Sequence, residues 1–404
     1  MTESASLTAP ASRPRWRRLM ALLVGGVMFA LSEWLTPTAA APFAGHGERF
    51  AEMASDPFRF EGPFPQRLLW PLGAWLFGLL GGSPLTYSQL CSVALLAVVY
   101  WFAHRRTGRV DASALCTAAV AVSGAVQVYK PMACLSDPLT LLLMVLLVEF
   151  AGRPWVFWPL VLLSALSHEL VFFFSPWLLY MRRRAGGQWG RELLLLAGVL
   201  GAYLLFRSPM ASSYGVSYYL QKNFWLPWLL PALWSLWGLV AVAEFGPLLL
   251  LLGPGWSSRA IGGRVGAWLY MVGVLTLMLL AYDVMRFAAF LFLPVLLGCV
   301  AIARTPLGRG ALSVLVVAAA AIYPVTHPVA SEQGGRAFTE IAAPVFARIA
   351  PHATQGGPVP ASPAFEATGW MFTQWPWTFA VVALCLAAAG LSRPALRRLS
   401  ADEV

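Results

Sequence analysis

Three carboxylates with helical spacing stand out in a chain that is 59% hydrophobic and 11% charged. Glu48, Glu52 and Asp56 follow one another at intervals of four residues, so on a helix they share one face, called here the acidic ridge. The opposite face is apolar, which is typical of a helix on a membrane surface. A carboxylate held within hydrogen-bond reach of a hydroxyl can act as a general base. Alternatively, the three acids only solvate the wet face of this helix.

Other charged side chains interrupt the apolar runs at a few points. Ionisable groups at membrane depth are functional candidates, because they are costly to bury there. The candidates predicted to share the outer side of the membrane with the acidic ridge are Arg67, Lys130, Asp137, Asp283 and Arg286. Two more, His168 and Glu169, lie at a predicted turn. In the structural alternative, Asp283 and Arg286 pair only with each other and the backbone satisfies His168 and Glu169.

Several classes of function are disfavoured by what the sequence lacks. No His, Cys, Asp and Glu residues have the spacing of a zinc site, and most of the five cysteines lie inside apolar runs. The absence of a Walker loop argues against an ATP-driven pump. The net charge of +10 does not indicate nucleic-acid binding, because the cations cluster in short loops between apolar runs.

This pattern predicts an all-α, polytopic membrane helix bundle. We expect about ten full crossings, a broken helix pair and one segment that dips into the membrane. The basic loops predict that both termini lie in the cytoplasm. The predicted parts are two cytoplasmic tails (1–18 and 392–404), the bundle (19–391), a first outer loop (41–67) that carries the acidic ridge, and a last outer loop (326–374).

Three segments need particular interpretations. Residues 68–80 are too few for the roughly 20 that a spanning helix requires, so this segment is predicted to dip and return. Residues 155–180 have the length of one crossing, but the arginines at both ends favour the cytoplasm. We therefore expect a hairpin of two short helices that turns near 167–169 and is covered by protein. Residues 225–252 are predicted to form one long, proline-containing helix.

The run from Pro63 to Pro71 (PFPQRLLWP), preceded by a first helix and an acidic outer loop, resembles the C-type superfamily of integral-membrane glycosyltransferases. Ser136-Asp137-Pro138 at a helix start, the turn at 167–169 and the Asp283 and Arg286 pair are similar to divergent bacterial members of this superfamily. The resemblance covers about the first 300 residues.

This resemblance implies transfer of a sugar from a polyprenyl-phosphate donor to a lipid or polysaccharide acceptor of the cell envelope, outside the cytoplasmic membrane. A first-loop carboxylate would be the base, and the candidates are Glu48, Asp56 and Glu52. Cations would bind the lipid phosphate. The implied substrate-binding residues are Arg67, Lys130, Asp137, His168, Glu169, Asp283 and Arg286. No protein-bound metal is implied, although the resemblance leaves open a divalent cation.

One departure from the resemblance concerns the first loop. Related sequences often carry Asp-Gly before an aromatic residue, where this chain reads His46-Gly47-Glu48-Arg49-Phe50. Either an acid of the ridge has taken over the role of base, or the protein has kept the fold without transfer activity. A transporter or flippase of a lipid-linked or amphiphilic substrate is the alternative from another class. It would need access from both faces of the membrane, whereas the polar residues gather towards one.

Overall fold

The structure, a computed structural model, describes residues 14–43, 46–58, 67–207, 232–280 and 284–326. All regular secondary structure in these ranges is helical. The helices are α1 Pro14–Glu33, α2 His46–Met53, α3 Leu69–Gly78, α4 Pro84–Thr107, α5 Val110–Ala121, α6 Gly124–Gln127, α7 Asp137–Glu149, α8 Pro154–Ser167, α9 Ser175–Arg184, α10 Trp189–Arg207, α11 Ala232–Phe245, α12 Leu252–Trp256, α13 Gly263–Leu280, α14 Val284–Ala288, α15 Phe292–Ala303 and α16 Pro306–Thr326. Short 3₁₀ segments cover Glu169–Phe174, Gly246–Leu251, Arg259–Ile261 and Ala289–Leu291.

Four helical stretches of the described residues are long and apolar enough to cross a membrane. They are Pro84–Thr107, Trp189–Phe206, Arg286–Ala303 and Pro306–Tyr323. This composition of long apolar helices indicates a membrane protein. The predicted last outer loop and final crossing lie outside the described residues.

The bundle is built around the stretch Arg286–Ala303, of which 89% is buried inside the protein. By contrast, 17% is buried in both Trp189–Phe206 and Pro306–Tyr323. Their exposed side chains include Leu194, Leu205 and Val317, which are apolar. A helix at the edge of a membrane bundle can expose such residues because lipid, and not water, surrounds it.

Ion pairs gather the basic loops at one end of the bundle, called here the basic end. Arg105 and Arg106, at the end of α4, contact the Glu149 carboxylate at the end of α7, at 2.7 and 2.5 Å. Arg309, in the first turns of α16, lies 3.1 Å from Asp111 at the start of α5. The prediction that basic loops share one side therefore agrees with the packing of the helices.

The predicted hairpin is confirmed. Helix α8 ends at Ser167, and His168 has extended backbone angles (φ −159°, ψ 122°) before the 3₁₀ segment and α9 continue the chain. The Arg182 guanidinium, near the end of α9, donates to the carbonyl of Ala151 just before α8. Arg182 and the Trp158 indole also share the Glu192 carboxylate. The two ends of the segment thus meet at the basic end, with the turn at the opposite end.

The segment predicted to dip forms α3, a helix of ten residues. At about 1.5 Å per residue it is about 15 Å long, half of the hydrocarbon thickness of a bilayer. The prediction that this segment is too short to cross the membrane as a helix is confirmed. Trp70 and Ala74 on this helix are buried in the bundle.

The interpretation of the acidic segment as a helix on the membrane surface was wrong in one respect. Helix α2 is amphipathic as predicted, with Glu48 and Glu52 exposed. However, its apolar face is covered by protein, because Phe50 is fully buried against Trp70 at a ring-centroid distance of 5.9 Å. Asp56 is exposed but lies beyond the helix, which ends at Met53.

The predicted long helix over 225–252 is interrupted. Residues 225–231 lie outside the described residues, and α11 ends at Phe245. Gly246 has a positive φ of 49°, which starts the 3₁₀ segment, and Pro247 follows it. Because Pro lacks a backbone N–H, it cannot continue the hydrogen-bond ladder of an α-helix at this point.

Candidate functional site

A buried ion pair joins the start of α3 to the turn of the hairpin. The Arg67 Nε and Nη2 atoms donate to the two carboxylate oxygens of Glu169, at 3.0 and 2.7 Å. The Arg67 side chain is 6% exposed and the Glu169 side chain 25%. This two-bond geometry fixes the guanidinium in position, which a single hydrogen bond would not do.

His168 lies beside this pair and is 1% exposed. Its Nδ1 atom is 3.4 Å from Glu169 Oε2, which is longer than a usual N–H···O hydrogen bond. Within the described residues, neither ring nitrogen has a hydrogen-bond partner. Its backbone N–H donates to the carbonyl of Ser164, which terminates α8. The backbone of the turn is thus satisfied, whereas the imidazole has only the long contact with Glu169 among the described residues.

A second buried pair lies next to the first. Arg286 Nη2 donates to Asp137 Oδ2 at 2.6 Å, and both side chains are at most 5% exposed. Asp137 is the first residue of α7, where a carboxylate also suits the helix dipole. Tyr129 donates its hydroxyl proton to the carbonyl of Arg286 at 3.1 Å. Asp137 lies close enough to His168 and Arg67 for their charges to act on it.

Serine and threonine hydroxyls connect the first turn of α7 to the end of α8. Thr140 Oγ1 and Ser167 Oγ are 2.9 Å apart, and both lie within 3.4 Å of the Ser136 carbonyl. The Ser136 hydroxyl is fully buried and has no hydrogen-bond partner among the described residues. These contacts bring Asp137 and His168, which are neighbours of Ser136 and Ser167, to the same point of the bundle. The side chains of Arg67, Ser136, Asp137, His168, Glu169 and Arg286 are called here the charged cluster.

Lys130 lies in the turn between α6 and α7, at the same end of the bundle. Its Nζ atom is 3.2 Å from a Glu33 carboxylate oxygen and donates to the Thr36 carbonyl at 3.1 Å. The Glu33 carboxylate also accepts hydrogen bonds from the Thr38 N–H and hydroxyl. Burial lowers the pKa of the Lys130 ammonium to about 8, and Glu33 opposes part of that shift.

The acidic ridge lies over the end of the bundle that carries the charged cluster. Phe50 on α2 contacts Trp70, one turn after Arg67. Gly47 packs so closely on the carbonyl of Ala133 that a Cβ atom there would lie 2.4 Å from the oxygen. Between described residues, no hydrogen bond or ion pair joins Glu48, Glu52 or Asp56 to the cluster. The ridge is thus exposed, while the apolar face of the same helix, α2, packs against the bundle.

Five of the residues singled out in the sequence come together in this cluster: Arg67, Asp137, His168, Glu169 and Arg286. The predicted pairing of Arg286 with Asp283 is not tested, because Asp283 lies outside the described residues. Arg286 pairs with Asp137, a contact between residues 149 apart in sequence that no local spacing could indicate. The His46 side chain, which replaces the expected aspartate, also lies outside the described side chains.

Sequence reasoning missed Glu33, the partner of Lys130. The signal was present, because Glu33 is an acidic residue inside the apolar run predicted as the first crossing. It noted Ser136 only as part of a helix-start motif and missed Tyr129, since a hydroxyl in a polar turn carries no pattern of its own. No group of three or more His, Cys, Asp and Glu side chains that could hold a metal ion occurs in the part of the chain that the structure describes.

The fold and site together define a helical membrane protein with a buried charged cluster at one end of its bundle. No protein-family model, curated protein or solved structure matches this chain.

Proposed function

We propose that the protein is a membrane glycosyltransferase that moves a sugar from a polyprenyl-phosphate donor to a lipid or polysaccharide acceptor of the cell envelope. The observation that carries the proposal is the convergence of three buried cations, Arg67, Lys130 and Arg286, at one end of an apolar bundle. They come from three distant parts of the chain. Burying cations is costly, so their collection at one place favours an anionic ligand with an apolar tail.

A lipid phosphate suits this end of the bundle. The carboxylates of Glu169, Asp137 and Glu33 hold the three cations in fixed positions. The phosphate of such a donor is a diester of the lipid and the sugar, and its two free oxygens share one negative charge and can accept from guanidinium and ammonium groups at once. The polyprenyl chain would lie against the exposed leucines and valines of the bundle, where lipid is the natural solvent.

In the proposed reaction, a carboxylate of the acidic ridge removes the proton from an acceptor hydroxyl. The acceptor oxygen then attacks the anomeric carbon of the sugar, and the bond to the lipid phosphate breaks with its electron pair on the phosphate oxygen. Glu48, Glu52 and Asp56 are the candidate bases, and Arg67, Lys130 and Arg286 stabilise the charge that develops on the leaving phosphate. In this proposal the cluster faces outwards, both termini are cytoplasmic, and the full chain crosses the bacterial cytoplasmic membrane about ten times.

The test uses purified protein in proteoliposomes with radiolabelled short-chain polyprenyl-phosphate sugars and native envelope extract as acceptor. Glu48→Gln, Glu52→Gln, Asp56→Asn and Arg67→Ala are compared for turnover and donor affinity. Loss of the base should lower turnover roughly 100-fold with donor affinity kept, because general-base catalysis contributes on that scale. Arg67→Ala should instead weaken donor binding. Asp111→Asn, an exposed carboxylate at the basic end, is the matched control.

Near-wild-type behaviour of all four variants would overturn the assignment of the site. Movement of labelled donor across the vesicle without transfer would indicate a transporter. Donor binding without transfer or movement would indicate an inactive protein of the same fold.

A further inference from the structure

A group of exposed arginines at the basic end has no carboxylate partner among the described residues. They lie on α9, on α10, on the 3₁₀ segment before α13 and on α13, and are called here the arginine patch: Arg183, Arg184, Arg191, Arg259 and Arg264. No ion pair within the described part of the chain involves any of them. Glu192, the acidic residue next to Arg191, is buried and already accepts hydrogen bonds from Arg182 and Trp158. The charge of the patch is therefore available to a ligand.

The elements that carry the patch pack against one another. Helix α9 contacts both α10 and α13, and α10 follows α9 after a short turn. The Trp177 indole of α9 donates to the Ile261 carbonyl at 3.1 Å. A Cβ atom on Gly263 would lie 3.4 Å from the Arg184 guanidinium. These contacts bring the end of α9 beside the start of α13, so the arginines of both helices belong to one surface.

The other arginines of this end show that such charges can be balanced within the protein. Arg105 contacts the Glu149 carboxylate, and Arg109 and Arg309 share that of Asp111. The preference of basic residues for the cytoplasmic side of a membrane applies equally to both groups of arginines. It does not explain why carboxylates accompany one group and not the other. The patch therefore differs from an ordinary basic loop.

Exposed apolar side chains begin within one helical turn of the patch. Leu194 on α10 is 73% exposed and follows Arg191 by three residues. Trp268 on α13 is 61% exposed and follows Arg264 by four residues. Residues at these spacings share a helix face. Each helix thus presents a cation at the basic end and an apolar surface beside it, and tryptophan is itself enriched at the headgroup level of membranes.

We propose that the arginine patch binds the headgroups of anionic phospholipids in the leaflet at the basic end of the bundle. The lipid phosphate accepts from the guanidinium groups, and the acyl chains lie along the exposed faces of α10 and α13. An acidic protein would match the charge but not the apolar faces next to it. The first turn of α13, which carries Arg264, contains no acidic residue, and the helix dipole there also favours an anion.

The patch and the charged cluster lie at opposite ends of the bundle. This inference therefore does not depend on the proposed function, and a glycosyltransferase, a transporter or an inactive protein of this fold would bind the same lipids.

The experiment measures lipid binding by native mass spectrometry of the full-length protein in an uncharged detergent. The protein is mixed with equal amounts of phosphatidylglycerol, which is anionic, and phosphatidylcholine, which has no net charge. We expect the wild type to prefer phosphatidylglycerol by about tenfold or more, because one basic side chain near an anionic lipid contributes about fivefold in affinity. Arg191→Gln combined with Arg264→Gln should lower this preference by about fivefold or more and leave phosphatidylcholine binding unchanged.

Arg105→Gln combined with Arg109→Gln is the matched control. It removes two arginines that are about half exposed at the same end, each of which contacts a carboxylate. The control should keep the lipid preference of the wild type. Arg183→Gln combined with Arg259→Gln is a second test variant and should lower the preference as the first does. Gel filtration shows that each variant is folded.

Three outcomes would overturn the inference. They are equal binding of the two lipids by the wild type, an unchanged preference in both patch variants, and an equal loss of preference in the control and the patch variants. A competition with inorganic phosphate tests the source of the anion. It should not displace phosphatidylglycerol, because it has no acyl chains to lie along Leu194 and Trp268. Displacement by an equal concentration of phosphate would assign the patch to a soluble anion and would also overturn the inference.

Discussion

The Arg67 guanidinium donates two hydrogen bonds to the Glu169 carboxylate, a residue 102 positions further along the chain. Arg67 lies just before the short helix α3, and Glu169 lies just after the break in the hairpin. The pair therefore links α3 to the hairpin, and neither α3 nor either single helix of the hairpin is long enough to cross a membrane. It also places the adjacent His168 beside Asp137 at the start of α7.

Breaking the Arg67 and Glu169 pair should destabilise the protein. Arg67→Ala removes the guanidinium that donates two hydrogen bonds to Glu169, and Glu169→Gln removes the negative charge beside a guanidinium that is 6% exposed. We expect each change to cost about 3 kcal/mol. The double variant should cost less than the sum of the two single variants, because it removes both charges of the pair together. Reversible unfolding in detergent measures all three, and additive effects would show that the pair is not coupled.

Removal of Arg182, which joins the two ends of the hairpin, should destabilise the protein more than removal of an exposed arginine. Arg182→Gln breaks a pair with Glu192 in which both side chains are at most 4% exposed. The matched control, Arg109→Gln, breaks a pair with Asp111 in which both are about half exposed. We expect a loss of about 3 kcal/mol for the first and a much smaller loss for the second, because solvent screens an exposed pair. Melting temperatures of the two variants compare them directly, and equal shifts would contradict the role assigned to Arg182.

Cysteine labelling should report the two ends of α4 on opposite sides of the membrane and the two ends of the hairpin on one side. Cys385 is replaced first, because the other four cysteines are buried and will not react. With a membrane-impermeant reagent, Ser83→Cys and Arg109→Cys should label from opposite faces, since the 24 residues of α4 between them suffice to cross a bilayer. Arg153→Cys and Ala185→Cys should label from the same face as Arg109→Cys. Labelling of Arg153→Cys and Ala185→Cys from opposite faces would contradict the hairpin topology.

Lys130 should make the protein more stable as the pH rises from about 8 towards 10. Its folded-state pKa of about 8 lies below the ordinary value of 10.5. Between these values the unfolded state holds more protons than the folded state, so the free energy of unfolding increases with pH. In Lys130→Met this contribution is absent. The difference in melting temperature between wild type and variant, measured at pH 7.5 and 9.5, isolates it from the other titrating groups. A difference that does not change with pH would contradict the lowered pKa.

Much of the fold follows from the sequence because membrane topology depends on local composition. The length of an apolar run decides whether a helix can cross, and the arginines at its ends indicate the side on which it ends. Arg153 and Arg182–Arg184 could not both favour the cytoplasm unless the chain reversed between them, which is why the break at His168 could be predicted. The amphipathic pattern of α2 could also be predicted, because it depends only on the spacing of neighbouring residues.

The partners of the charged residues were decided by tertiary structure. Asp137 pairs with Arg286 and Lys130 with Glu33 because packing brings together the ends of helices far apart in sequence. Whether the apolar face of α2 meets lipid or protein depends on the position of Trp70, which no periodicity encodes. The sequence by itself thus determined which residues are costly to bury in a membrane protein, while the packing of distant helices determined which of them meet.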